Sequence, residues 1–552
     1  MDFCEVVGSF GRWQLRVFLF FAFLNVVGMW QNFSILFLAG HVPFRCAHNA
    51  SLDSCRVAEG PNSSVPCARW EFDTSHTSHT IVSEWDLVCE REWLVSLTKA
   101  AYMAGYLFSV IVFGQISDCV GRYPTIIVCY VITIISMFLT LLSNSFPMFL
   151  VLRFLQAFGR TGATTVGFVL LMETVGPKHH EEVGIAIQFG FVLGYVTLAG
   201  VAWFFRHWFW LQLVISLAFL PFAPAFRYKE TSINPTRTEL DSPIYNIGPG
   251  FLLYSRNTSH TDSNQIKTTP VIVPVFSLYV VPESPRWLQT RGKTEKLKQL
   301  LATAARVNRR KLKAEAIEFI ERKDIEEDGS RKSATMFQMM KLPNLRKRTF
   351  KMIYLWFVNA FLYYAVAYST SDLAGDPYVN CFLAGVVEIP ARGLVFFGIK
   401  KWGRRPTLVL NMALAGAFFL ADLAGPGDVA WLRTAFAMAC KFCATASFTV
   451  LYLYTTEVFP TEVRNAALGS CSMCSRVGSI LAPFLRDLGK MVPPSAINAS
   501  LALTGALLAL TLPETRGLEL PDTLQEGEDL GRSAQKSRES CAGVDSIPLT
   551  DQ

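Results

Sequence analysis

The stretch FGQISDCVGRYP at residues 113–124 decides the fold, because a related stretch returns in the second half of the chain. Residues 398–406 read GIKKWGRRP, and both stretches lie between two long apolar runs. The two Gly-Arg steps, which end at Arg122 and Arg404, are 282 residues apart. Seen once, such a loop indicates only a tight turn between two helices. Seen twice at matched positions, it predicts two copies of one structural unit.

Two further pairs repeat at nearly the same interval. Glu173 and Glu457 each end an apolar run and lie 284 residues apart. The segments 282–284 (PES) and 513–515 (PET) each follow the last apolar run of a half. Internal repeats of membrane units are typical of secondary transporters. The pattern therefore predicts an all-α membrane protein with two pseudo-symmetric six-helix halves.

The composition also indicates a membrane protein. Hydrophobic residues make up 51% of the chain and charged residues 17%, whereas soluble chains usually carry about 25% charged residues. The apolar runs predict twelve transmembrane helices, with the lipid bilayer as their solvent. We place these spans at 15–39, 94–116, 124–142, 147–173, 183–204, 208–226 with 271–281, 352–371, 378–399, 406–424, 429–455, 465–485 and 495–512.

The repeat also reveals an irregular span 6. From Glu173 to Pro282 there are 109 residues, whereas from Glu457 to Pro513 there are only 56. A polar stretch at 226–270 accounts for the difference, and we interpret it as an insertion in or after helix 6. The alternative is an ordinary disordered cytoplasmic loop. The predicted segments are a first half at 1–225, the insertion at 226–270, the end of helix 6 at 271–282, a cytoplasmic loop at 283–351, a second half at 352–515 and a disordered tail at 516–552.

The first loop, 40–93, has the marks of an extracellular segment. It carries glycosylation sequons at Asn49 and Asn62, and four arginines but no lysine. The loop at 283–351 instead carries nineteen basic residues, and basic loops stay cytoplasmic. We therefore expect the 40–93 loop to lie outside and both termini to lie in the cytoplasm. Two disulfides are expected among four cysteines, with three pairings open: Cys46, Cys55, Cys67 and Cys89.

Charge and motifs limit the other function classes. The net charge of +7 comes from the cytoplasmic loops and does not require nucleic acid as a partner. The sequence shows no nucleophile elbow, phosphate loop or metal-ligand cluster, so we expect no enzyme activity, no cofactor and no metal. A homo-oligomer is left open.

Charged residues inside the apolar runs mark the candidate site. Arg392, Lys441 and Arg476 lie in the middle of spans 8, 10 and 11, where a cation needs a counter-charge, water or an anionic ligand. Glu388 lies four residues before Arg392, so a structural ion pair is the alternative for this arginine. Lys441 likewise has a group of span 4 or span 8 as an alternative partner. Four aromatic residues are candidates to line the cavity or, alternatively, to pack helices: Tyr363, Tyr364, Phe442 and Phe448.

Span 4 carries two more cations. Arg153 and Arg160 are seven residues apart and lie near one helical face. We expect Arg160 to face a partner or a water-filled cavity, while Arg153 has an interfacial anchor as an alternative role.

Together these motifs resemble the solute carrier family 22 branch of the major facilitator superfamily, the organic cation, anion and carnitine transporters. The resemblance runs from about residue 8 to 524, except for 226–270. It rests on EWDLVC at 84–89, the motif at 114–122, PESPRWL at 282–288, WF at 356–357, YY at 363–364, EIPA at 388–391 and YTTEVFPT at 454–461. In one departure, Lys400 and Lys401 replace any acid in the second loop motif.

The resemblance implies polyspecific transport of small charged organic molecules across the plasma membrane, by alternating access around a central site. It also implies that the repeated loops control the conformational change. The residues expected in this role are Gly114, Asp118, Gly121, Arg122, Gly403, Arg404, Glu173 and Glu457.

The same resemblance sharpens the substrate class. Organic cation members typically carry Asp at the position of Arg476, where anion and carnitine members carry Arg. Anion members typically carry Lys or Arg at the position of Arg392, where carnitine-type members carry an uncharged residue. The chain has both cations, so an organic anion or carboxylate is favoured. The alternatives are a zwitterion such as carnitine, for which residues 375–378 (GDPY) look closer, an organic cation, or a variant made transport-inactive by the insertion.

Overall fold

Helices make up most of the structure, a computed structural model that describes residues 7–40, 42–47, 51–53, 55–60, 63–67, 69–73, 79–176, 179–226, 281–310, 336–425, 429–489, 491–518 and 520–529. An apolar run in a bilayer becomes a helix because each backbone N–H and C=O must find its partner within the segment. In this described part, twelve main helices form two sets of six.

The first set comprises α1 (Arg12–Phe33, continued by Ile35–Leu38), α2 (Trp93–Val120), α3 (Arg122–Leu141), α4 (Phe146–Thr174), α5 (His180–Phe204) and α6 (Trp208–Phe219, continued by Leu220–Phe226). The second set comprises α7 (Pro343–Ser369, continued by Thr370–Asp372), α8 (Pro377–Trp402), α9 (Arg404–Ala424), α10 (Ala430–Val458), α11 (Arg464–Leu481) and α12 (Pro494–Leu510). Each helix overlaps the span predicted for it. The two six-helix halves are therefore confirmed for the described residues.

Length and composition agree with membrane crossing for most of these helices. Eight of them are long and apolar enough to span a bilayer: α1, α2, α3, α5, α7, α8, α9 and α10. The apolar helices at Trp208–Ala223 and Pro494–Leu510 are shorter. The remaining two, α4 and α11, bring arginines into the centre of the bundle.

Helix packing follows the internal repeat. In the first half, α4 packs against α2 and α3, and α1 packs against α5. In the second half, α10 and α12 pack on α9, and α11 packs on α7. Two helix pairs join the halves, α5 with α8 and α2 with α11. The candidate site lies between these two pairs.

The halves touch at the end of the bundle that carries the 40–93 loop, here called the cysteine-loop end. The Ser96 hydroxyl of α2 donates to the Pro483 carbonyl oxygen at 3.2 Å. The guanidinium of Arg486 lies 3.0 Å from the carboxylate of Glu92. One apolar cluster also runs from the first half into second-half residues such as Tyr368. The interface between the halves is therefore closed at this end.

The cysteine-loop end has a small β-structure that the sequence analysis did not predict. Strands β1 (Phe44–Cys46) and β5 (Trp70–Phe72) pair antiparallel, and β2 (Ser51–Asp53), β3 (Arg56–Gly60) and β4 (Ser63–Pro66) form an antiparallel sheet. Disulfides join Cys46 to Cys67 and Cys55 to Cys89, which selects one of the three open pairings. The predicted glycosylation sites Asn49 and Asn62 lie outside the described residues.

At the opposite end, two short helices, Pro285–Thr290 and Thr294–Val307, follow the first half. Their apolar faces pack with Val7 and Trp13. Asn308 then accepts a hydrogen bond from the Trp13 backbone N–H at 2.9 Å. The loop predicted at 283–351 is thus partly helical, and α7 begins at Pro343, nine residues before the predicted start of span 7. The predicted insertion at 226–270 and most of the 271–282 segment lie outside the described residues.

The start of the tail differs from the disorder expected at 516–552. Residues 524–529 form a helical turn. Its Glu528 carboxylate accepts hydrogen bonds from the backbone N–H groups of Asn344 and Leu345, both at 2.8 Å. These groups are unpaired donors at the N-terminus of α7, where a carboxylate is favoured. The contact joins distant parts of the chain, so local polarity gave no sign of it.

Candidate functional site

The α2–α3 turn holds a dense charge network. The Arg122 guanidinium donates two hydrogen bonds to Glu173, both of 3.1 Å, and lies 3.1 Å from Asp118. Gly121 adopts a φ of +118°, a region that favours glycine. A Cβ at this glycine would also lie 2.6 Å from Glu283, whose carboxylate accepts the Arg122 backbone N–H at 2.9 Å. The turn therefore joins α2, α3, α4 and the segment after the first half.

The α8–α9 turn repeats this network in the second half. Arg404 donates to Glu457 at 3.0 and 2.8 Å. Gly403 has a φ of +98°, and Glu514 accepts the Arg404 backbone N–H at 3.0 Å. The three residue pairs seen as repeats in the sequence are thus parts of one repeated network.

The two turns differ on one side. The residue that corresponds to Asp118 is Lys400, whose ammonium lies 4.1 Å from the ring centroid of Phe396. Phe396 in turn stands where the first half has Gly114, and a Cβ at Gly114 would have no neighbour within 4 Å. The first turn therefore has an acid and an open face, whereas the second has a base and a ring. Their expected roles in the conformational change stay a prediction.

Glu388 is the centre of the buried charge in the second half. The Tyr363 hydroxyl donates to its carboxylate at 2.7 Å. The Lys441 ammonium lies 3.3 Å from the same oxygen, and Arg392 donates to the other oxygen at 3.3 Å. The carboxylate side chain is only 3% exposed. The structure thus shows the ion pair that the sequence analysis held as the alternative for Arg392, and it gives Lys441 a partner on span 8.

Lys441 also touches the first half. Its side chain is fully buried, and its ammonium lies 3.5 Å from the ring centroid of Tyr363. Tyr195 of α5 and Phe33 of α1 are the next rings, at 5.2 and 5.9 Å. Cations are attracted to the faces of such rings. Lys441 therefore lies at the interface, but its charge is balanced within the protein.

Arg476 has different surroundings from the other two cations. Its guanidinium carbon lies 4.3 Å from the ring centroid of Tyr106 on α2, and its Nε has no hydrogen-bond partner. Among the residues that the structure describes, no carboxylate lies within ion-pair distance of it. Arg160 of α4 lies over the same tyrosine at 5.9 Å. The sequence analysis missed Tyr106, because a single tyrosine in an apolar run has no distinguishing pattern.

Three of the four aromatic residues that were predicted to line the cavity lie close to one another. Tyr363 and Tyr364 are in edge contact at 5.2 Å, and Phe448 lies 6.0 Å from Tyr363. Tyr364 also stacks against Phe33 of the first half at 6.4 Å. Phe442 instead packs within the second half against a separate core cluster. For Phe442 the structure therefore shows the packing role.

Arg153 lies inside the first half rather than at a surface. It is fully buried and donates weak hydrogen bonds to the Gln31 carbonyl oxygen, Ser34 and Gln156, at 3.3–3.4 Å. These neighbours hold α1 and α4 together through neutral oxygens. Arg153 thus belongs to a polar cluster within the half. In the described ranges, no group of three His, Cys, Asp or Glu residues is arranged to hold a metal ion.

Comparison with known proteins agrees with this architecture. Residues 91–483 match the sequence profile of the Major Facilitator Superfamily. The chain is 30% identical to the "Organic cation transporter protein" of Drosophila melanogaster, and the alignment covers 96% of this chain and 95% of the relative. It is 32% identical to "Solute carrier family 22 member 3" of Rattus norvegicus, over 86% and 77% of the two chains. It is 29% identical to human "Organic anion transporter 3", over 98% and 96%.

Among solved structures, the inward-open xylose transporter XylE of E. coli superposes with a TM-score of 0.57 at 13% identity, covering 93% of this chain and 100% of XylE. At this identity the likeness concerns the fold alone. The twelve helices and the charged site between the halves define a multi-pass membrane transporter of the major facilitator class. With the relatives above, the chain belongs to the solute carrier family 22 branch of this superfamily. The family consists of transporters of organic ions and not of enzymes.

Proposed function

We propose that the chain carries small organic anions, carboxylates above all, across the plasma membrane by alternating access. The observation that supports this proposal most strongly is the setting of Arg476. It lies at the interface over Tyr106, and no described carboxylate pairs with it. A guanidinium is always charged and offers paired donors that match two carboxylate oxygens. Such a contact is worth about 1.5–3 kcal/mol, which is enough to bind and still allow release.

The balance of charge at the centre of the bundle supports the same substrate class. Lys441 and Arg392 together exceed their shared partner Glu388 by one positive charge. Arg160 and Arg476 add two more charges without a described acidic partner. Uncompensated positive charge in a medium of low dielectric attracts anions and repels cations.

An organic cation is less well supported as the substrate. A carboxylate that is free to meet the ligand would be the strongest partner for a cation. Glu388 instead has its oxygens occupied by Tyr363, Lys441 and Arg392. We therefore do not extend the cation in the name of the Drosophila relative to this chain.

A zwitterion such as carnitine is the second candidate. Tyr364 and Tyr368 lie near Phe33 with ring centroids 6.4 and 6.3 Å away. Such a set of rings suits a quaternary ammonium, while an arginine takes the carboxylate. Arg392 is a weaker candidate for the carboxylate than Arg476, since it shares Glu388 with Lys441. Its Nε has no hydrogen-bond partner, however, so Arg392 is proposed as a secondary anion contact.

Sidedness follows from the loops. We assign the cysteine-loop end to the extracellular side, because disulfides persist in oxidising compartments. The basic segment after the first half is then cytoplasmic, as are both termini. The contacts of Ser96 and Arg486 close the cysteine-loop end, so we assign the conformation described here to a part of the transport cycle in which the site is closed to the outside.

The test is an uptake screen in cells that express the full chain. Benzoate, carnitine and a quaternary ammonium ion are compared in the wild type, in Arg392→Ala and in Arg476→Ala, with surface protein measured in parallel. The proposal requires the wild type to take up benzoate best, and Arg392→Ala to lower that uptake by less than loss of Arg476 does. Best uptake of the ammonium ion would overturn the anion assignment. No uptake of any of the three would favour the transport-inactive alternative.

A further inference from the structure

Arg160 is a buried cation of the first half to which the proposed function assigns a charge but no ligand contact. The residue is 3% exposed, and its nitrogens Nε and Nη1 have no hydrogen-bond partner. Its Nη2 lies 4.0 Å from the sulfur of Met29, which is a weak acceptor. Within the described ranges, no carboxylate lies at ion-pair distance. Since arginine does not lose its proton, this charge calls for a counter-ion from outside the protein.

Arg160 and Arg476 lie near the same aromatic ring, that of Tyr106. Their guanidinium carbons lie 5.9 and 4.3 Å from the ring centroid of Tyr106. Arg160 belongs to α4 of the first half, and Arg476 belongs to α11 of the second half. Two like charges this close repel each other in a medium of low dielectric. An anion placed between them would remove the repulsion and use the unpaired donors of both.

The backbone of α1 holds the Arg160 guanidinium in place. A Cβ at Gly28 would lie 2.6 Å from the Arg160 Nε and 3.0 Å from its Nη2. A residue larger than glycine therefore forces the guanidinium to move. Because Gly28 has no side chain, it leaves the space that the Arg160 guanidinium occupies near Tyr106.

We propose that Arg160 is a second anion-binding residue, and that one carboxylate binds both Arg160 and Arg476 beside the Tyr106 ring and so links the two halves. Gly28 is the positioning residue for this contact. The inference rests on the proposed function and supplies the first-half partner of Arg476. Because the ligand touches both halves, it binds more tightly to a state in which the two arginines are close, and so it favours that state.

The test measures benzoate binding to the purified full-length protein by the shift of its thermal unfolding at constant ionic strength. Arg160→Gln is expected to weaken the apparent affinity about tenfold to hundredfold, the usual effect of losing one charge-assisted contact. Arg160→Lys keeps the charge but loses the forked geometry, so an intermediate loss is expected. Arg160→Gln combined with Arg476→Gln should lose less than the two single effects added, because one ligand uses both groups.

Gly28→Ala tests the positioning role without removing a charge. It should weaken benzoate binding in the wild type but have no further effect in an Arg160→Ala background, because the side chain that the new methyl group displaces is then absent. Gly184→Ala is the matched control, because a Cβ there meets no atom within 4 Å. The Gly184→Ala variant should bind benzoate with the same affinity as the wild type.

Two results would overturn the inference: a benzoate affinity in Arg160→Gln and Gly28→Ala equal to that of the wild type, or no benzoate response in the wild type. Uptake in cells separates this inference from the proposed function. If Arg476→Gln abolishes benzoate uptake and Arg160→Gln leaves it intact, the inference fails while the transport of anions stands. If benzoate binds with the expected dependence on Arg160 but is not carried, the site stands and the proposed function fails.

Discussion

Glu388 and Lys441 form a buried ion pair in the second half. The carboxylate is 3% exposed and the ammonium is fully buried, so neither can be balanced by water. Taking two charges out of water costs several kcal/mol per ion, and their mutual attraction offsets that cost only while both are present. Removing one partner should therefore be far more damaging than removing both.

This difference gives the first prediction. Glu388→Gln should destabilise the protein by about 3–5 kcal/mol, because Lys441 is left as an unpaired buried charge. The double variant Glu388→Gln with Lys441→Met should recover most of that loss. Thermal unfolding of the purified variants measures both effects. Equal unfolding temperatures for Glu388→Gln and the wild type would show that the pair is not the buried contact described here.

At this scale, sequence reasoning found the cations but not all of their partners. Arg476 and Arg392 stand out because a charge inside an apolar run is rare, and Glu388 follows from the four-residue spacing on a helix. The contact between Lys441 and Glu388 joins two helices, so no local spacing reveals it. Tyr106 was missed because its role depends on arginines from two other helices.

At the scale of elements, the repeated turns are the most regular feature. Both turns have a glycine in the left-handed region, an arginine bound by a glutamate and a second glutamate at the next helix N-terminus. The first turn alone has an acid, Asp118, beside its arginine. The side chain of Asp118 is 72% exposed, so its ion pair with Arg122 is worth about 0–1 kcal/mol. Its importance should therefore lie in the conformational change and not in stability.

Asp118→Asn is accordingly expected to leave thermal unfolding nearly unchanged while lowering the transport rate. Substrate uptake per surface molecule and the unfolding temperature are measured on the same variant. The matched change in the second half, Lys400→Gln, should have the smaller effect on rate. A normal rate for Asp118→Asn at normal surface expression would reduce the motif to a simple turn.

The cysteine-loop end offers a second prediction at this scale. Arg486 contacts Glu92 at 3.0 Å and Asp372 at 3.5 Å, with partly exposed side chains. Each such pair is worth up to about 1 kcal/mol, which is a factor of about five in an equilibrium constant. Arg486→Gln should therefore shift the protein toward opening at this end. A cysteine introduced at Ser96, which is buried there, should then react faster with a membrane-impermeant thiol reagent.

The same experiment has a built-in control. Arg486→Lys keeps the charge, so the introduced cysteine should stay protected in that variant. Equal reactivity in the wild type, Arg486→Gln and Arg486→Lys would contradict a role for these pairs in closing the two halves.

The elements show where sequence patterns suffice. Apart from the early start of α7, the long apolar runs of the described residues form helices within a few residues of their predicted bounds, because bilayer length and backbone pairing favour helices. The short strands at 44–72 were not predicted, because their order depends on two disulfides whose pairing was open. The early start of α7 at Pro343 and the turn at 524–529 were missed for a related reason. They stabilise each other through Glu528, a contact between residues far apart in the sequence.

At the scale of the whole molecule, the asymmetry of the loops is the basis of the orientation that we propose. The disulfides at one end and the basic helices at the other support an extracellular cysteine-loop end. Asn49 and Asn62 should therefore be glycosylated at the cell surface. Glycosidase treatment of intact cells should increase the gel mobility of the wild type. The double Asn→Gln variant should run at the treated position without treatment. A wild type that does not shift, and does not differ from the double variant, would defeat this assignment.

The central claim is that an organic anion binds to Arg476 at the interface between the halves. The most direct measurement is the ratio of benzoate uptake to uptake of a quaternary ammonium ion, in the wild type and in Arg476→Asp at equal surface expression. We predict a ratio well above one in the wild type. Charge reversal should lower it by about tenfold or more, because the new carboxylate would pair with Arg160 and repel the anion. A wild type that prefers the ammonium ion, with a ratio that Arg476→Asp leaves unchanged, would contradict the account.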